Sequence, residues 1–356
     1  MTGAAAPLPP PAEVLLSKRV QEMVLNGEDP PAPYMSRDDE ATEDDYSNES
    51  PIPVVNIGIF SSSTPSADEY MEELQKLKSA LQSWGCFQAI GHGISRSFLD
   101  KIVEVTREFF ELPMEEKKKY SKTVAEFEGY GADPTPEDGQ SLDWSDRLFL
   151  DVYPEDCIKL KFWPQNPVSF RKILLEYTEK MKKVTELTSK AMAKSLYLDE
   201  NCFLKQFGER ATLQARFNYY SKCQKPERIL GLKPHADGSG YTLILQERVG
   251  LQVFYKGRWY TVPQVPGAVF ILMGDQMEIM TNGEFKSPVH RVLSHSERDR
   301  ISIAMFYTPA KGKDIGPEEG LVNDEKPRLF KQVKDYADVH FEYYQKGERA
   351  LHVAQA

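Results

Sequence analysis

Residues 233–245 read KPHADGSGYTLIL, and this stretch decides how the rest of the chain is interpreted. His235 and Asp237 stand two residues apart, and on an extended segment residues i and i+2 point to the same side. Two ligands from one helix would instead be three or four residues apart. The run Tyr241–Leu245 then predicts a strand. The stretch therefore indicates a metal site built on β-structure.

A third ligand of the same kind comes from a distant part of the chain. His290 follows Asp237 by 53 residues (290 − 237), so it must arrive from another strand. Two imidazoles and one carboxylate occupy one face of a metal and leave the opposite positions open, which suits Fe(II) with a chelating co-substrate and O₂. The chain contains only six histidines, which makes this spacing unlikely to arise by chance. We expect His235, Asp237 and His290 to bind iron.

The segment that begins at Arg300 predicts an anion site. Strand alternation places Arg300, Ser302, Ala304 and Phe306 on one face and the larger aliphatic side chains on the other. A buried arginine requires a counter-anion, and its planar fork matches a carboxylate. A dicarboxylate with one end on the metal and the other on Arg300 and Ser302 is the expected occupant. Phe306 shares that face and has two interpretations, a substrate contact or a packing residue of the core.

A second polar face lies on residues 214–220. Gln214, Arg216, Asn218 and Tyr220 alternate with apolar residues, and such polarity inside a barrel is typical of a pocket wall. Asn218 and Tyr220 are candidates to bind the carboxylates of the same dicarboxylate. Arg216 has two interpretations, a substrate contact in the pocket wall or a structural ion pair.

Periodicity places helices before and after a β-rich centre. Helical patterns cover Asp68–Trp84, Phe98–Phe110 and Phe170–Leu198, and a closing helix is predicted at Leu329–Tyr344. Short strands are predicted at Tyr241–Leu245, Gly250–Tyr255, Arg258–Val262, Ala268–Met273 and Arg300–Tyr307. We therefore expect a mixed α and β protein with a distorted double-stranded β-helix core (a jelly roll, cupin-like) and flanking helices.

Composition divides the chain into four regions. Residues 1–51 predict an N-terminal helix and an acidic, Pro-rich linker, with an acidic run at 38–45. We expect a mainly helical region at 52–205, the metal-binding jelly roll at 206–320, and a C-terminal helix and tail at 321–356.

Charge and cysteine usage exclude several classes of partner. Lys and Arg total 44 against 54 acidic residues, a net charge of −10, which argues against nucleic acid and anionic membranes. The four cysteines have no pairing pattern, so we expect free thiols. There is no apolar run of membrane-spanning length and no secretory signal pattern. We expect a cytoplasmic monomer.

Several motifs carry a resemblance to a known family. RFNYYSKC (216–223), KPHADGSGYTLIL, KSPVHRV (286–292) and RDRISIAMFY (298–307) resemble the plant 2-oxoglutarate/Fe(II)-dependent dioxygenase superfamily, and WGCFQAIGHGI (84–94) resembles its N-terminal region. The resemblance covers about residues 52–345. It is closest to the specialised-metabolism branch, which includes alkaloid O-demethylases, norcoclaurine-synthase-like proteins and a rice oxygenase of triketone herbicides.

The resemblance implies roles for individual residues and an activity. His235, Asp237 and His290 would hold Fe(II), Arg300 and Ser302 would bind 2-oxoglutarate, and Asn218 and Tyr220 would assist. Trp144 and Phe149, in LDWSDRLFL (142–150), resemble pocket residues of the family. The implied reaction is hydroxylation or O-demethylation of a small, largely apolar and aromatic plant metabolite or xenobiotic. It consumes O₂, releases succinate and CO₂, and is supported by ascorbate.

Two alternatives from other classes remain at this point. A zinc-dependent hydrolase could use the same three ligands, although Arg300 and Ser302 would then have no obvious task. A non-catalytic, cupin-like protein that binds small molecules is the other, although a pure binder need not keep three ligands and an anion site. We expect a structural role for His92 and surface positions for His295, His340 and His352.

Overall fold

The computed structural model describes residues 19–36, 52–62, 65–123, 126–132 and 141–356. Its helices are α1 (Val20–Leu25), α2 (Ala67–Ser83), α3 (Arg96–Glu111), α4 (Met114–Lys118), α5 (Phe170–Ser195), α6 (Cys202–Phe207), α7 (Asp275–Met280) and α8 (Tyr336–Lys346). Within the described residues, no helix is long and apolar enough to cross a membrane.

The strands before the jelly-roll region are β1 (Val54–Asn56), β2 (Cys86–Ile90), β3 (Gly129–Gly131) and β4 (Asp146–Tyr153). The later strands are β5 (Thr212–Tyr220), β6 (Leu230–His235), β7 (Tyr241–Gln246), β8 (Leu251–Tyr255), β9 (Arg258–Thr261), β10 (Val269–Met273), β11 (His290–Leu293), β12 (Arg300–Thr308), β13 (Asp314–Ile315) and β14 (Val333–Lys334).

Two sheets form the centre of the molecule. The large sheet has eight strands in the order β1-β2-β10-β7-β12-β5-β4-β3, and the small one has four in the order β6-β11-β8-β9. All described pairings in them are antiparallel except β1 with β2. This architecture confirms the predicted fold class.

Each central strand of the large sheet has one face toward the helices and one toward the small sheet. On β12, Ile303 and Met305 belong to the main apolar core, which also contains residues of α2, α3 and α5. Ala304 lies in a second apolar cluster with Leu251 and Val253 of the small sheet. The face that carries Arg300, Ser302, Ala304 and Phe306 is therefore the inner face, as the alternation predicts.

The long helices begin where their sequences favour capping. Ser66 accepts a hydrogen bond from the backbone N–H of Glu69, and the Glu69 side chain accepts one from Ser66 N, so both halves of a capping box are present at α2. Ser95 accepts from Phe98 N at the start of α3. These caps orient the helices that cover the outer face of the large sheet.

The structure differs from the sequence predictions at both ends of the chain. Residues 28–36, expected in the linker, contact the core, because Tyr34 is buried and Ser36 N donates to Arg228 O at 2.9 Å. The first half of the predicted N-terminal helix and the acidic run at 38–45 lie outside the described residues. The predicted helix at Leu329–Tyr344 is wrong in its first half, because Phe330 bridges to Gln355 and β14 pairs with β13.

The predicted boundary at residue 205/206 is not a break in the structure. Strands β1 to β4 precede it, yet they hydrogen-bond into the same large sheet as β5 and β10. The N-terminal region therefore contributes four of the eight strands of that sheet, in addition to the expected helices.

Candidate metal centre and co-substrate site

The three predicted metal ligands meet at one end of the small sheet. His290 pairs directly with His235 across β11 and β6, and Asp237 follows β6 by two residues. The distances from Asp237 Oδ1 are 3.4 Å to His235 Nε2 and 3.6 Å to His290 Nε2. One donor atom from each residue lies within 4.8 Å of the others.

This donor set fits a single transition-metal ion. With metal–ligand distances of roughly 2.1 Å, neighbouring ligands of an octahedral ion lie about 3 Å apart, close to the observed separations. Two nitrogens and one oxygen on one face leave the opposite positions for exogenous ligands. Among the described residues, this is the one group of three or more His, Cys, Asp or Glu residues with such an arrangement.

Hydrogen bonds to neighbouring groups orient each ligand. His235 Nδ1 lies 2.8 Å from Lys233 O, and His290 Nδ1 lies 3.3 Å from Pro288 O, so each Nδ1–H donates to a carbonyl. Both Nε2 atoms then carry the lone pair that a metal requires. The Thr242 hydroxyl donates to Asp237 Oδ2 and leaves Oδ1 directed at the histidines.

The electrostatics of the triad favour a bound cation. Burial alone would raise the pKa of Asp237, but His290, His235 and the Thr242 hydroxyl lower it well below its ordinary value. Burial, reinforced by the charge of His235, lowers the pKa of His290 to about 4. At neutral pH the carboxylate is ionised and His290 is neutral, which are the forms that bind metals.

The predicted anion-binding residues lie together on the inner face of the large sheet. Arg300 pairs with Tyr220 and Ser302 with Asn218 across β12 and β5. Asn218 Nδ2 donates to Ser302 Oγ at 3.3 Å, and the Arg300 guanidinium lies 5.0 Å from the centre of the Tyr220 ring. A buried arginine beside an amide and two hydroxyls is suited to a carboxylate.

Protein contacts fix the orientation of Arg300, which is only 5% exposed. Its Nε donates to Arg248 O at 2.9 Å, and its Nη2 donates to Gln246 Oε1 at 3.2 Å. Gln246 is itself held, because its Nε2 donates to Val262 O at 3.2 Å. The guanidinium therefore has a defined position before any anion binds.

Arg216 and the candidate substrate residues line the neighbouring part of the inner face. Arg216 Nε donates to Asn218 Oδ1 at 2.6 Å, which connects it to the polar group around Ser302. Phe149 stacks on Phe306 with ring centres 6.1 Å apart. The row continues through Phe127, 4.5 Å from Phe149.

Trp144 lies in a different environment from the other candidate substrate residues. It is 1% exposed, contacts Tyr34 in an edge-on ring pair at 5.0 Å, and belongs to a small apolar cluster with Val20 and Met23 of α1. Its indole Nε1–H donates to Lys222 O at 3.3 Å. These contacts make it a packing residue between the N-terminal segment and the β-core.

The histidines outside the triad divide into structural and surface positions. His92 Nε2–H donates to Gly267 O at 2.8 Å and its Nδ1 accepts from Ile94 N at 3.2 Å, so it has the expected structural role. His352 is exposed, whereas His295 is half-buried. His340 is also half-buried, and it contacts the turn that carries Asp237, a role that the surface prediction did not include.

Sequence reasoning missed Thr242 and Gln246, which support the triad and the anion site. Both lie on the inner face of β7, where Ser302 pairs with Gln246 and Phe306 with Thr242. The alternation along Tyr241–Gln246 could have indicated them, since it places both residues on one face. No local pattern indicates His340, because its contact joins segments 104 residues apart.

Comparison with known proteins assigns the family. A family model described as "2OG-Fe(II) oxygenase superfamily" matches residues 211–309. A second model, described as "non-haem dioxygenase in morphine synthesis N-terminal", matches residues 52–166. Protein SRG1 of Arabidopsis thaliana is 36% identical over 333 residues, which cover 91% of this chain and 92% of the relative. The chain belongs to the 2OG-Fe(II) oxygenase superfamily. The oxygenase is also 37% identical to codeine O-demethylase of Papaver somniferum, over 81% of this chain and 80% of the relative.

A solved structure supports the same assignment. The crystal structure of JOX2 in complex with 2OG, Fe and JA superposes on the oxygenase with a TM-score of 0.83 and 30% identity, covering 95% of this chain and 97% of that one. The oxygenase is thus a 2-oxoglutarate-dependent dioxygenase with Fe(II) as its metal, which excludes the zinc hydrolase and the non-catalytic binder.

Proposed function

We propose that His235, Asp237 and His290 bind the iron and that Arg300 and Ser302 bind the far carboxylate of 2-oxoglutarate. The observation that supports this most directly is the position of the two groups on facing sheets, the triad on the small sheet and the anion site on the large one. A dicarboxylate can bridge such a pair of sites. Asn218 and Tyr220 assist from β5, beside Ser302 and Arg300.

The protein positions the reactants while the cofactors supply the chemistry. When bound, iron and 2-oxoglutarate activate O₂, and 2-oxoglutarate leaves as succinate and CO₂. Thr242 keeps Asp237 oriented, and Lys233 O keeps the His235 ring in one tautomer. Arg300 binds the co-substrate in one direction, with its 2-oxo acid end toward the triad.

The substrate is a small, largely apolar and aromatic plant metabolite or xenobiotic, which is hydroxylated or O-demethylated. Support comes from the aromatic row Phe306, Phe149 and Phe127, which lines the inner face beside the anion site. Such rings bind planar apolar molecules by stacking and edge-on contacts. Arg216 lies next to this row, where it can donate to a polar group of the substrate. The similarity to codeine O-demethylase favours a methoxy-bearing substrate among the possibilities.

We further propose a cytoplasmic monomer without a nucleic-acid or membrane partner, in which ascorbate maintains iron in the reduced state. The net charge of −10 opposes binding to phosphate-rich surfaces. All four cysteines are unpaired, as expected in a reducing compartment. The large sheet contains strands from both sides of residue 205/206. We therefore propose the regions 1–51, 52–205, 206–320 and 321–356 as parts with different roles, and not as separate folding units.

An anaerobic titration tests the assignment of residues. Apoprotein receives Fe(II) and then 2-oxoglutarate, and we expect a weak visible charge-transfer band only when both are present. Arg300→Ala should raise the 2-oxoglutarate concentration needed for the band by about 100-fold or more, because a charge-assisted contact is lost from a buried site. Arg258→Ala, at an exposed arginine of β9, is the matched control and should leave the titration unchanged.

Two results would contradict the proposal. A band of normal strength in Asp237→Ala would exclude the triad, and an unchanged titration in Arg300→Ala would exclude the anion site.

Screening aromatic and methoxylated compounds for succinate release, with formaldehyde measured in parallel, then separates demethylation from hydroxylation. Formaldehyde in proportion to succinate identifies demethylation. Without formaldehyde, a product that has gained one oxygen identifies hydroxylation, and one that has lost two hydrogens identifies desaturation.

A further inference from the structure

The C-terminal helix α8 is attached to the rest of the protein at both ends. At its start, Tyr336 OH donates to Asp275 Oδ2 at 2.8 Å. Beyond its end, Arg349 Nη2 donates to Asp275 Oδ1 at 2.9 Å and to Glu278 Oε2 at 3.0 Å. Asp275 is fully buried at the start of α7, so a single carboxylate fixes both ends of the C-terminal segment.

The middle of α8 lies against the turn that carries the candidate iron ligand Asp237. His340 Nε2–H donates to the carbonyl of Ala236 at 2.8 Å. The imidazole also lies over Gly238, where an added Cβ would be only 2.3 Å from His340 Cγ. His340 thus contacts the residues immediately before and after Asp237.

Tyr344 extends the contact by one helical turn. Its ring is edge-on to the His235 ring, with centres 5.4 Å apart. Lys233 Nζ lies 4.7 Å from the centre of the same ring and forms a buried ion pair with Asp143 at 3.0 Å. Two residues of α8, one turn apart, therefore contact the segment that contains His235 and Asp237.

The opposite side of the turn is held by α7. Asp275 N donates to Asp237 O at 2.8 Å, and Gln276 Nε2 donates to Gly238 O at 2.7 Å. The turn therefore lies between two helices and is hydrogen-bonded to both. Asp275 links them, because its backbone N–H bonds to the turn and its carboxylate bonds to residues at the start of α8 and beyond its end. Tyr336 is the one fully buried residue among the eleven of α8, so the helix lies on the surface of the β-core.

We propose that His340 is a positioning residue for the iron site, which holds the 236–238 turn so that Asp237 meets the two histidines. The proposal rests on the proposed function, because it presumes that Asp237 binds iron. Hydrogen-bonded groups behind a metal ligand commonly set metal affinity, and their loss costs roughly 10- to 100-fold in affinity or activity. His340 has this role through a main-chain carbonyl, and it comes from a helix outside the β-core.

The test measures metal affinity instead of turnover. Fe(II) is titrated anaerobically into apoprotein at saturating 2-oxoglutarate, and the apparent Kd is read from the visible band. We expect His340→Ala to weaken Fe(II) binding by roughly 10-fold or more. His340→Gln, which keeps an N–H donor, should recover part of the loss. His352→Ala is the matched control, because His352 lies in the same C-terminal segment and contacts Tyr343 instead of the turn.

A second variant tests the same contact from the other partner. Gly238→Ala leaves His340 in the sequence but displaces its ring, so it should weaken Fe(II) binding similarly. Gly238 does not have a positive φ, so alanine is tolerated by the backbone itself. In the double variant the two losses should not add, because both remove one contact.

The outcomes separate failure of the inference from failure of the proposed function. No band in the wild-type protein would reject the iron and 2-oxoglutarate assignment itself. A normal band with unchanged Kd in both His340→Ala and Gly238→Ala would reject only the inference. Loss of the folded apoprotein in both variants would also overturn it, because His340 would then be a purely structural residue.

Discussion

Replacing Gln246 by methionine should weaken the binding of 2-oxoglutarate without affecting the iron site. The substitution removes the oxygen that accepts from Arg300 Nη2 at 3.2 Å, and it removes the donor to Val262 O. Methionine has a similar length, so the space remains filled. The Nη2 of a guanidinium that is 5% exposed then loses an acceptor.

The expected magnitude follows from the energy of that hydrogen bond. A hydrogen bond to a charged group contributes roughly 1.5–3 kcal/mol. Without this hydrogen bond, Arg300 must be ordered when 2-oxoglutarate binds, and the energy of ordering it is taken from the binding energy. The KM for 2-oxoglutarate then rises about 10- to 100-fold, at about 1.4 kcal/mol per factor of ten. The kcat should change less than about threefold, because no ligand of the triad contacts Gln246.

Steady-state succinate release at varied 2-oxoglutarate measures both parameters. Gln88→Met is the matched control. Gln88 Nε2 donates to Pro263 O at 2.8 Å, a carbonyl that Gln246 Nε2 also approaches, at 3.4 Å. Gln88 lies on β2, which pairs with β1 and β10, whereas Arg300 lies on β12. A KM within twofold of wild type in Gln246→Met would refute the reasoning. An equal rise in Gln88→Met would refute it too, because the shared carbonyl would then be responsible.

Two further predictions concern the metal site and the pH dependence of stability. Thr242→Val should weaken Fe(II) affinity about 10-fold in a metal titration, because Asp237 loses the hydroxyl that orients it, whereas an unchanged Kd would show that this hydroxyl is dispensable. Burial lowers the pKa of His92, so below about pH 6.5 the unfolded chain binds a proton that the folded chain does not. The stability contribution of His92 is therefore fully present above that pH and is lost as the pH falls toward its folded pKa. Thermal unfolding between pH 5 and 7 (a range about the ordinary His value) should show a flatter profile for His92→Gln, and an equally steep one would contradict the assignment.

Much of the site could be predicted because strand alternation is local. The positions of Arg300, Ser302 and Phe306 on one face follow from a two-residue repeat, and the structure places all three on the inner face of β12. The two-residue spacing of His235 and Asp237 likewise predicted an extended segment, and the structure places His235 at the end of β6 with Asp237 two residues beyond it. His290 arrives from the neighbouring strand β11, as expected. These features needed no knowledge of distant contacts.

The remaining features depend on contacts between distant segments. The apolar spacing around Phe330 resembles a helix, but the residue pairs with Gln355, and no local rule reports such a partner. Trp144 resembles a pocket residue by its neighbours in sequence, yet it lies beside Tyr34 because an N-terminal segment packs on it. His340 acts through a carbonyl on another segment.

The separation of triad and anion site onto two sheets has a consequence for evolution. In the proposed binding mode, the length of the diacid that can bridge them is set by the packing distance between the sheets, which neither group of residues controls alone. Apolar residues between the sheets, such as Leu251 and Val253, therefore preserve the identity of the co-substrate while remaining outside the reaction. The Phe127 and Phe341 side chains do not belong to this apolar cluster, whereas His340 of the C-terminal helix is tied to the turn that carries Asp237. Phe341 contacts Phe127 with ring centres 5.2 Å apart. In the proposed substrate site, side-chain changes at this junction would alter the substrate while leaving the iron and co-substrate residues in place.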